Sequence, residues 1–203
     1  MAARFLALGD SYTIGEGVAP DLRWPVQLAV SLRGDGIDIG DPQIIAITGW
    51  TTGELAAAVD AATFAPPYAL VTLLVGVNNQ YRGCGLDEYR DQFRALLQRA
   101  IGLAGDDAAR VIVVSIPDWG VTPFARNEGH DAVHIARAID AFNAAAYAEA
   151  SHAGAHWVDV TGVSRAPGSQ GELVADGLHP SAAQYARWVG AILPVAERVL
   201  RGN

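Results

Sequence analysis

Residues 68–76 read Tyr68-Ala-Leu-Val-Thr-Leu-Leu-Val-Gly76, an apolar run interrupted only by a threonine before it stops at glycine. A strand with one wet face alternates apolar and polar residues. A run without alternation is what a strand covered on both faces requires, the condition of strands in a parallel sheet. Parallel neighbours need long crossovers, usually helices, and the chain supplies them on both sides of this segment. Upstream, residues 4–8 form a short apolar run ending at Gly9. Residues 22–32 have helical spacing with Pro25 in the first turn, where a missing N–H costs little. The Ile-rich residues 43–47 form a second strand, and Thr51 or Thr52 can cap a helix running through Glu54 to Ala62. Downstream, Leu86, Tyr89, Phe93, Leu96, Leu97, Ala100 and Ile101 recur at three and four, which predicts an amphipathic helix over 86–103. Residues 110–116 and 155–160 read as strands. Between them a helix over 131–151 carries Ile135, Ile139, Phe142 and Ala146 on its buried stripe and stops near Gly154. The last helix is expected from Pro180 to about Leu200, with Trp188, Val189, Ile192 and Val199 inward and a kink at Pro194.

Five strands alternating with helices predict an α/β fold, a three-layer α/β/α sandwich around a five-stranded parallel sheet. Right-handed crossovers leave few topologies, of which the flavodoxin-like order 2-1-3-4-5 is the expectation. With 203 residues, 51% hydrophobic and 18% charged, the chain can bury one sizeable core, so a single domain over residues 1–203 is expected. That composition excludes disordered and small disulfide-scaffold classes. The 14 basic residues, all arginine, stand against 22 acidic ones, for a net charge of -8. An acidic chain without a basic cluster is a poor nucleic-acid binder. A single cysteine, Cys84, rules out an internal disulfide and any cysteine-pair zinc site. No apolar stretch approaches the roughly 20 residues that span a bilayer, and the amino terminus lacks a secretory apolar region, so a cytoplasmic location is expected.

In doubly wound sheets ligands bind at the carboxyl ends of the strands, which directs attention to four loops. After the first strand comes Gly9-Asp10-Ser11-Tyr12-Thr13. A serine at that turn is placed to project into a crevice, and equally to cap a helix or help cradle an anion. The spacing fits neither G-x-G-x-x-G nor a P-loop, and there is no lysine. Thr13 also stands where G-x-S-x-G needs its second glycine. After the second strand, Thr48-Gly49 offers an unobstructed backbone N–H or a plain turn glycine. After the third, Gly76-Val77-Asn78-Asn79 offers side-chain amides or an Asx-turn. Before the last helix, Asp176-Gly177-Leu178-His179-Pro180 places a carboxylate and an imidazole three residues apart. With Ser11 they supply a nucleophile, a base and an orienting acid in the order Ser, Asp, His. His130, His134, His152 and His156 read as surface or packing residues. His130 and His134 lack the glutamate of H-E-x-x-H, so no metal and no cofactor are expected.

Taken together the four blocks, in this order, resemble the SGNH hydrolases, the GDSL family of esterases and lipases. The resemblance implies Ser11 as nucleophile, His179 as base and Asp176 as its partner, with Ser11, Gly49 and Asn78 as oxyanion donors. It also implies hydrolysis of a small soluble acyl ester through an acyl-enzyme. An acyltransferase and a carbohydrate O-deacetylase share those residues. A non-enzymatic flavodoxin-like binding module is the alternative from a different class, one with no use for the Asp176/His179 pair. The chain departs from the family pattern at Asn79, where Asp is common, and at Ala46, Thr48 and Trp50 around the glycine block. Candidate substrate contacts are Tyr12, Trp50, Tyr81, Arg82, Trp119 and Phe124. Trp119 and Phe124 serve equally well as loop packing, and Arg82 has Asp87 as an alternative partner. A working triad requires His179 Nε2 within ~3 Å of Ser11 Oγ, with some slack when no ligand is bound.

Overall fold

Apolar runs form the strands and periodic segments form the helices. The computed structural model describes residues 2–202. They run β1 (Phe5–Gly9), α1 (Ser11–Ile14), α2 (Trp24–Gly34), β2 (Gln43–Ala46), α3 (Thr52–Ala61), β3 (Leu70–Leu74), α4 (Val77–Tyr81) and α5 (Leu86–Leu103), then β4 (Val111–Val114), α6 (Pro123–Asn127), α7 (Ala132–Ala153), β5 (His156–Val158), α8 (Thr161–Arg165) and α9 (Ala182–Arg201). The strands form one parallel sheet in the order β2-β1-β3-β4-β5, with Phe5 opposite Leu70 and Val71 opposite Val111 at its centre. Every residue of β1, β3 and β4 is buried, as their unbroken apolar character requires. The outer strands β2 and β5 are only partly covered.

This order sends the chain from β1 toward one edge and then back across toward the other. With right-handed crossovers, the helix after β1 therefore lies on one face and the later crossover helices on the opposite one. Accordingly α2 packs on α9, and α5 packs on α3 and α7. Trp24, Leu28 and Leu32 of α2 with Trp188 and Ile192 of α9 fill one layer of the core. Phe93 and Leu96 of α5 with Ile139 and Phe142 of α7 fill the other. The reversal point falls at the carboxyl ends of β1 and β3, the crevice such sheets offer to ligands.

Several boundaries differ from the sequence expectation. β3, β4 and β5 are shorter than the apolar runs that contain them, because Tyr68, Val75, Ile116 and Val160 are buried without belonging to a strand. Apolarity reports burial, and ladder pairing ends sooner. The final helix starts at Ala182 because the Ser181 side chain accepts the Gln184 N–H and caps it there. Residues Pro20–Leu22 form a separate 3-10 turn, so α2 begins at Trp24. Among the described residues no helix is long and apolar enough to cross a membrane.

Candidate active site

β1 ends at Gly9, where a Cβ would stand 2.5 Å from the Leu74 carbonyl oxygen and closer still to the Thr13 side chain. Only glycine lets the chain turn this tightly against β3. Asp10 then caps α1, its Oδ1 accepting the Tyr12 N–H at 3.0 Å, which leaves Ser11 as the first helical residue. Ser11 is 4% exposed and faces a cavity of about 220 Å³ at the sheet's reversal point. Asp10 itself points inward: it is wholly buried and its Oδ2 has no hydrogen-bond partner. Burial pushes its carboxyl up to about 7. The nearby N–H groups of Tyr12 and Gly76 pull the other way, but only that of Tyr12 makes a full hydrogen bond.

Across the cavity stands His179, 8% exposed. Asp176 divides its carboxylate between backbone and ring. Oδ1 accepts the Leu178 and His179 N–H groups at 2.8 and 2.9 Å, tightening the turn before α9, and Oδ2 lies 2.6 Å from His179 Nδ1. Burial would raise the Asp176 carboxyl, but the bonds from the His179 ring and from these two N–H groups outweigh it and hold the group below its ordinary value. An Nδ1–H directed at that carboxylate leaves Nε2 as the acceptor on the other side of the ring. Tyr12 braces the imidazole from behind, with ring centroids 5.6 Å apart. Ser11 and His179 line the same cavity, although no hydrogen bond joins their side chains.

Gly49 and Asn78 line this cavity too. Gly49 has φ +88°, a conformation open to glycine and strained for residues with a Cβ. Neither its N–H nor that of Ser11 donates to any group among the described residues. One amide hydrogen of Asn78 is engaged by the Trp50 carbonyl at 2.9 Å, which fixes the plane of the amide and leaves its second hydrogen free. The next residue, Asn79, is 2% exposed and ties down the same loop. Its Oδ1 accepts the Thr52 N–H at 3.0 Å and its Nδ2 donates to Thr52 Oγ1 at 2.7 Å. Asn79 thus both accepts from and donates to Thr52, which a carboxylate at this position could not do.

The rest of the cavity wall is Tyr12, Thr48, Val77, Tyr81, Trp119, Phe124 and Leu178. Trp119 is held by Nε1–H donation to Gln80 Oε1 at 2.8 Å and by edge contacts with Tyr81 and His130. It therefore anchors its loop and walls the cavity at once. Two expected contacts lie elsewhere. Trp50 packs partly against the core and meets the site only through its carbonyl. Arg82 lies outside the lining because its guanidinium is turned to the Gly49 carbonyl at 2.6 Å and to Glu54 at 3.3 Å. Its carboxylate partner is Glu54, on α3, while Asp87 pairs with Arg90. Asp10 and the Arg82–Glu54 contact are the site features that motif reading missed, since no local spacing announces them. Among the described residues no group of three or more His, Cys, Asp and Glu side chains could hold a metal ion.

Comparison with known proteins places this architecture. The structure of TesA shares 24% identity and superposes with a TM-score of 0.75, covering 97% of this chain and 99% of that one. The psychrotrophic esterase EstA from Pseudoalteromonas sp. is 16% identical at a TM-score of 0.75, with 98% of each chain covered. A lipase/acylhydrolase from Enterococcus faecalis is 21% identical at 0.73, covering 98% of this chain and 96% of that one. At these identities the likeness shows the fold. No significant match to a curated protein was found. The family itself is shown by sequence: the model of the GDSL-like lipase/acylhydrolase family matches residues 7–187, from β1 into α9 and across all four loops of the cavity, and the chain belongs to that family.

Proposed function

We propose that the protein is a serine hydrolase that cleaves carboxylic esters of uncharged acyl groups through an acyl-enzyme, with Ser11, His179 and Asp176 as its triad. The observation that carries this reading is the 2.6 Å contact between Asp176 Oδ2 and His179 Nδ1, in a residue that shares one small cavity with Ser11. In the proposed sequence Ser11 Oγ attacks the acyl carbon and its proton passes to His179 Nε2. The imidazolium so formed is stabilised by Asp176. The carbonyl electron pair moves onto oxygen, where the N–H groups of Ser11 and Gly49 and the free hydrogen of the Asn78 amide meet it. Removing one such donor typically costs ~3 kcal/mol in the barrier. Collapse expels the alcohol, protonated by His179. Water then attacks the acyl-enzyme, with the same imidazole as base, and restores Ser11.

Apart from His179 the lining contains no ionisable acid or base other than the phenols of Tyr12 and Tyr81, which favours a neutral acyl group. A volume of about 220 Å³, set against the ~30 Å³ that a water-sized group occupies in a liquid, holds about seven non-hydrogen atoms. A hexanoyl group has about that many non-hydrogen atoms and fills that space. EstA was solved in a form inhibited by monoethylphosphonate, and a phosphonate ester is the natural probe here. The test is a panel of p-nitrophenyl esters from acetyl to dodecanoyl, run with phosphonate labelling on the wild type and on Ser11→Ala. Turnover with an optimum at medium chains and a label on Ser11, both abolished in Ser11→Ala, is the expected result. A wild type that neither hydrolyses an ester nor takes the label ends the proposal. Competing alcohols in the same assay separate hydrolysis from acyl transfer.

A further inference from the structure

A cation beside a site for uncharged esters calls for a reason, and the partners of Arg82 supply one. Gly49 sits in a turn closed by the Trp50 N–H to the Ile47 carbonyl at 3.3 Å. Its positive φ belongs to a broad glycine basin that does not by itself hold the N–H in one direction. Thr48 Oγ1 donates to Glu16 on one side of the loop, and the remaining groups that hold it come from α4 and its end. Asn78 Nδ2 donates to the Trp50 carbonyl and Asn79 Oδ1 accepts the Thr52 N–H, so residues 50 and 52 are pinned by amides. Among the described residues only the Arg82 side chain bonds to Gly49, through Nη2 to its carbonyl oxygen at 2.6 Å. Its Nη1 is held by Glu54, and Glu54 is itself fixed by the Thr51 N–H at 2.8 Å and Thr51 Oγ1 at 2.9 Å.

We propose that Arg82 is a positioning residue: its guanidinium bridges the Gly49 carbonyl and Glu54, fixes the Gly49–Trp50 peptide plane, and so, across the Gly49 Cα, steadies the adjoining Thr48–Gly49 peptide whose N–H meets the developing oxyanion. The inference rests on the ester-hydrolase reading above. Two donors in a rigid planar fork can serve both partners at once, which a lysine ammonium on a flexible stem does poorly. The guanidinium is half exposed and already carries its counter-charge, and it lies outside the cavity lining, so it acts on the loop and leaves substrate charge unread. Losing an oxyanion donor outright lowers kcat about 100- to 1000-fold, and a donor left in place but loosened should cost a fraction of that, about tenfold.

The experiment compares wild type, Arg82→Ala, Arg82→Lys and Ser11→Ala on p-nitrophenyl hexanoate and on the monosuccinyl ester of p-nitrophenol, with and without added ethylguanidinium. The expected result for Arg82→Ala is a kcat lowered about tenfold and a KM within about twofold of wild type, the pattern of an interaction made in the transition state. Phosphonate labelling should slow in parallel. Ethylguanidinium should restore part of the Arg82→Ala kcat and none of that of Ser11→Ala, and Arg82→Lys should stay slow. Three outcomes overturn the proposal. They are an unchanged kcat, a KM rise confined to a monosuccinyl ester with kcat intact, which would make Arg82 an anion-binding residue, and a slow but folded variant that ethylguanidinium does not rescue. Should Arg82→Ala not fold, Arg82→Gln is read in the same way. A wild type that is active and labelled at Ser11 alongside an unaffected Arg82 variant sinks this inference alone, whereas an inert wild type sinks the hydrolase reading first.

Discussion

Asp176 performs two jobs with one carboxylate, and they can be separated. Oδ1 shapes the turn through two backbone N–H groups, while Oδ2 alone meets the His179 ring. An asparagine that keeps its single oxygen on the turn presents its amide N–H to the imidazole, so the ring loses its orienting charge and takes the wrong tautomer. Asp176→Asn is therefore expected to lower kcat on the hexanoyl ester about 100- to 10,000-fold, with the fold retained by circular dichroism. A loss smaller than about tenfold would show that the ring is oriented by Tyr12 packing alone. Ser11 and His179 were readable as single residues because each stands at a strand end or just before a helix. Asp10 was not, because it reads as an ordinary cap. Only its complete burial and unpartnered Oδ2 set it apart.

At the scale of elements, α4 does more than its five residues suggest. It and its end hold the β2–α3 loop at Gly49, Trp50 and Thr52, so two of the four site loops behave as one piece. Asn79 is the buried member of this contact, and its amide starts a directed chain. Nδ2 donates to Thr52 Oγ1, Thr52 Oγ1 donates to Gln92 Oε1, and Gln92 Nε2 donates to Glu88 at 2.9 Å. A carboxylate at position 79 cannot donate. Thr52 would turn its hydrogen toward it, Gln92 would lose its donor, and a charge would sit at a position 2% exposed. Asn79→Asp is thus expected to destabilise the protein by about 1–3 kcal/mol, read as a lower urea midpoint at neutral pH. An unchanged midpoint would mean the chain can reverse at no cost. The sequence noted Asn79 only as a departure from the family pattern. Its partner Thr52 lies 27 positions away, and Thr52 in turn reaches 40 positions along the chain to Gln92, beyond the reach of local spacing. Elements whose cause is local were legible: α5 spans Leu86–Leu103, as its three-and-four periodicity predicts. Arg82 shows the opposite case, since the nearby Asp87 was the readable partner and the distant Glu54 is the real one.

For the whole molecule, sheet order and the location of the site followed from alternation of strand and helix and from crossover handedness, which are global rules that a single sequence can satisfy visibly. Stability is different, because it depends on groups the pattern hides. A domain of this size is held by only about 5–15 kcal/mol, so one misplaced ionisable group is a measurable share. Asp10 is such a group. Its carboxyl has an ordinary value of 3.8 and is pushed up to about 7 by burial in the folded chain. Between those values the folded state holds a proton that the unfolded state has released. Stability contributed at this site therefore falls as pH rises from about 4 to about 7, and the full penalty persists above that window. A shift of this size corresponds to on the order of 4 kcal/mol. Asp10→Asn keeps an oxygen for the Tyr12 N–H and cannot ionise, though its amide nitrogen meets the same unpartnered environment as Oδ2 and carries a cost that does not vary with pH. The absolute stability of the variant is consequently a poor readout, and its difference from wild type across pH is a good one. Urea unfolding of both proteins at about pH 4 and about pH 8 should show that difference moving in the variant's favour by a few kcal/mol, on the order of the shift itself. Carboxylates held below their ordinary values, such as Asp176 and Glu54, titrate alike in both proteins and cancel. A difference that stays flat across the window would mean that Asp10 releases its proton at the same pH folded and unfolded, and would refute the account of a carboxyl raised by burial beside Ser11.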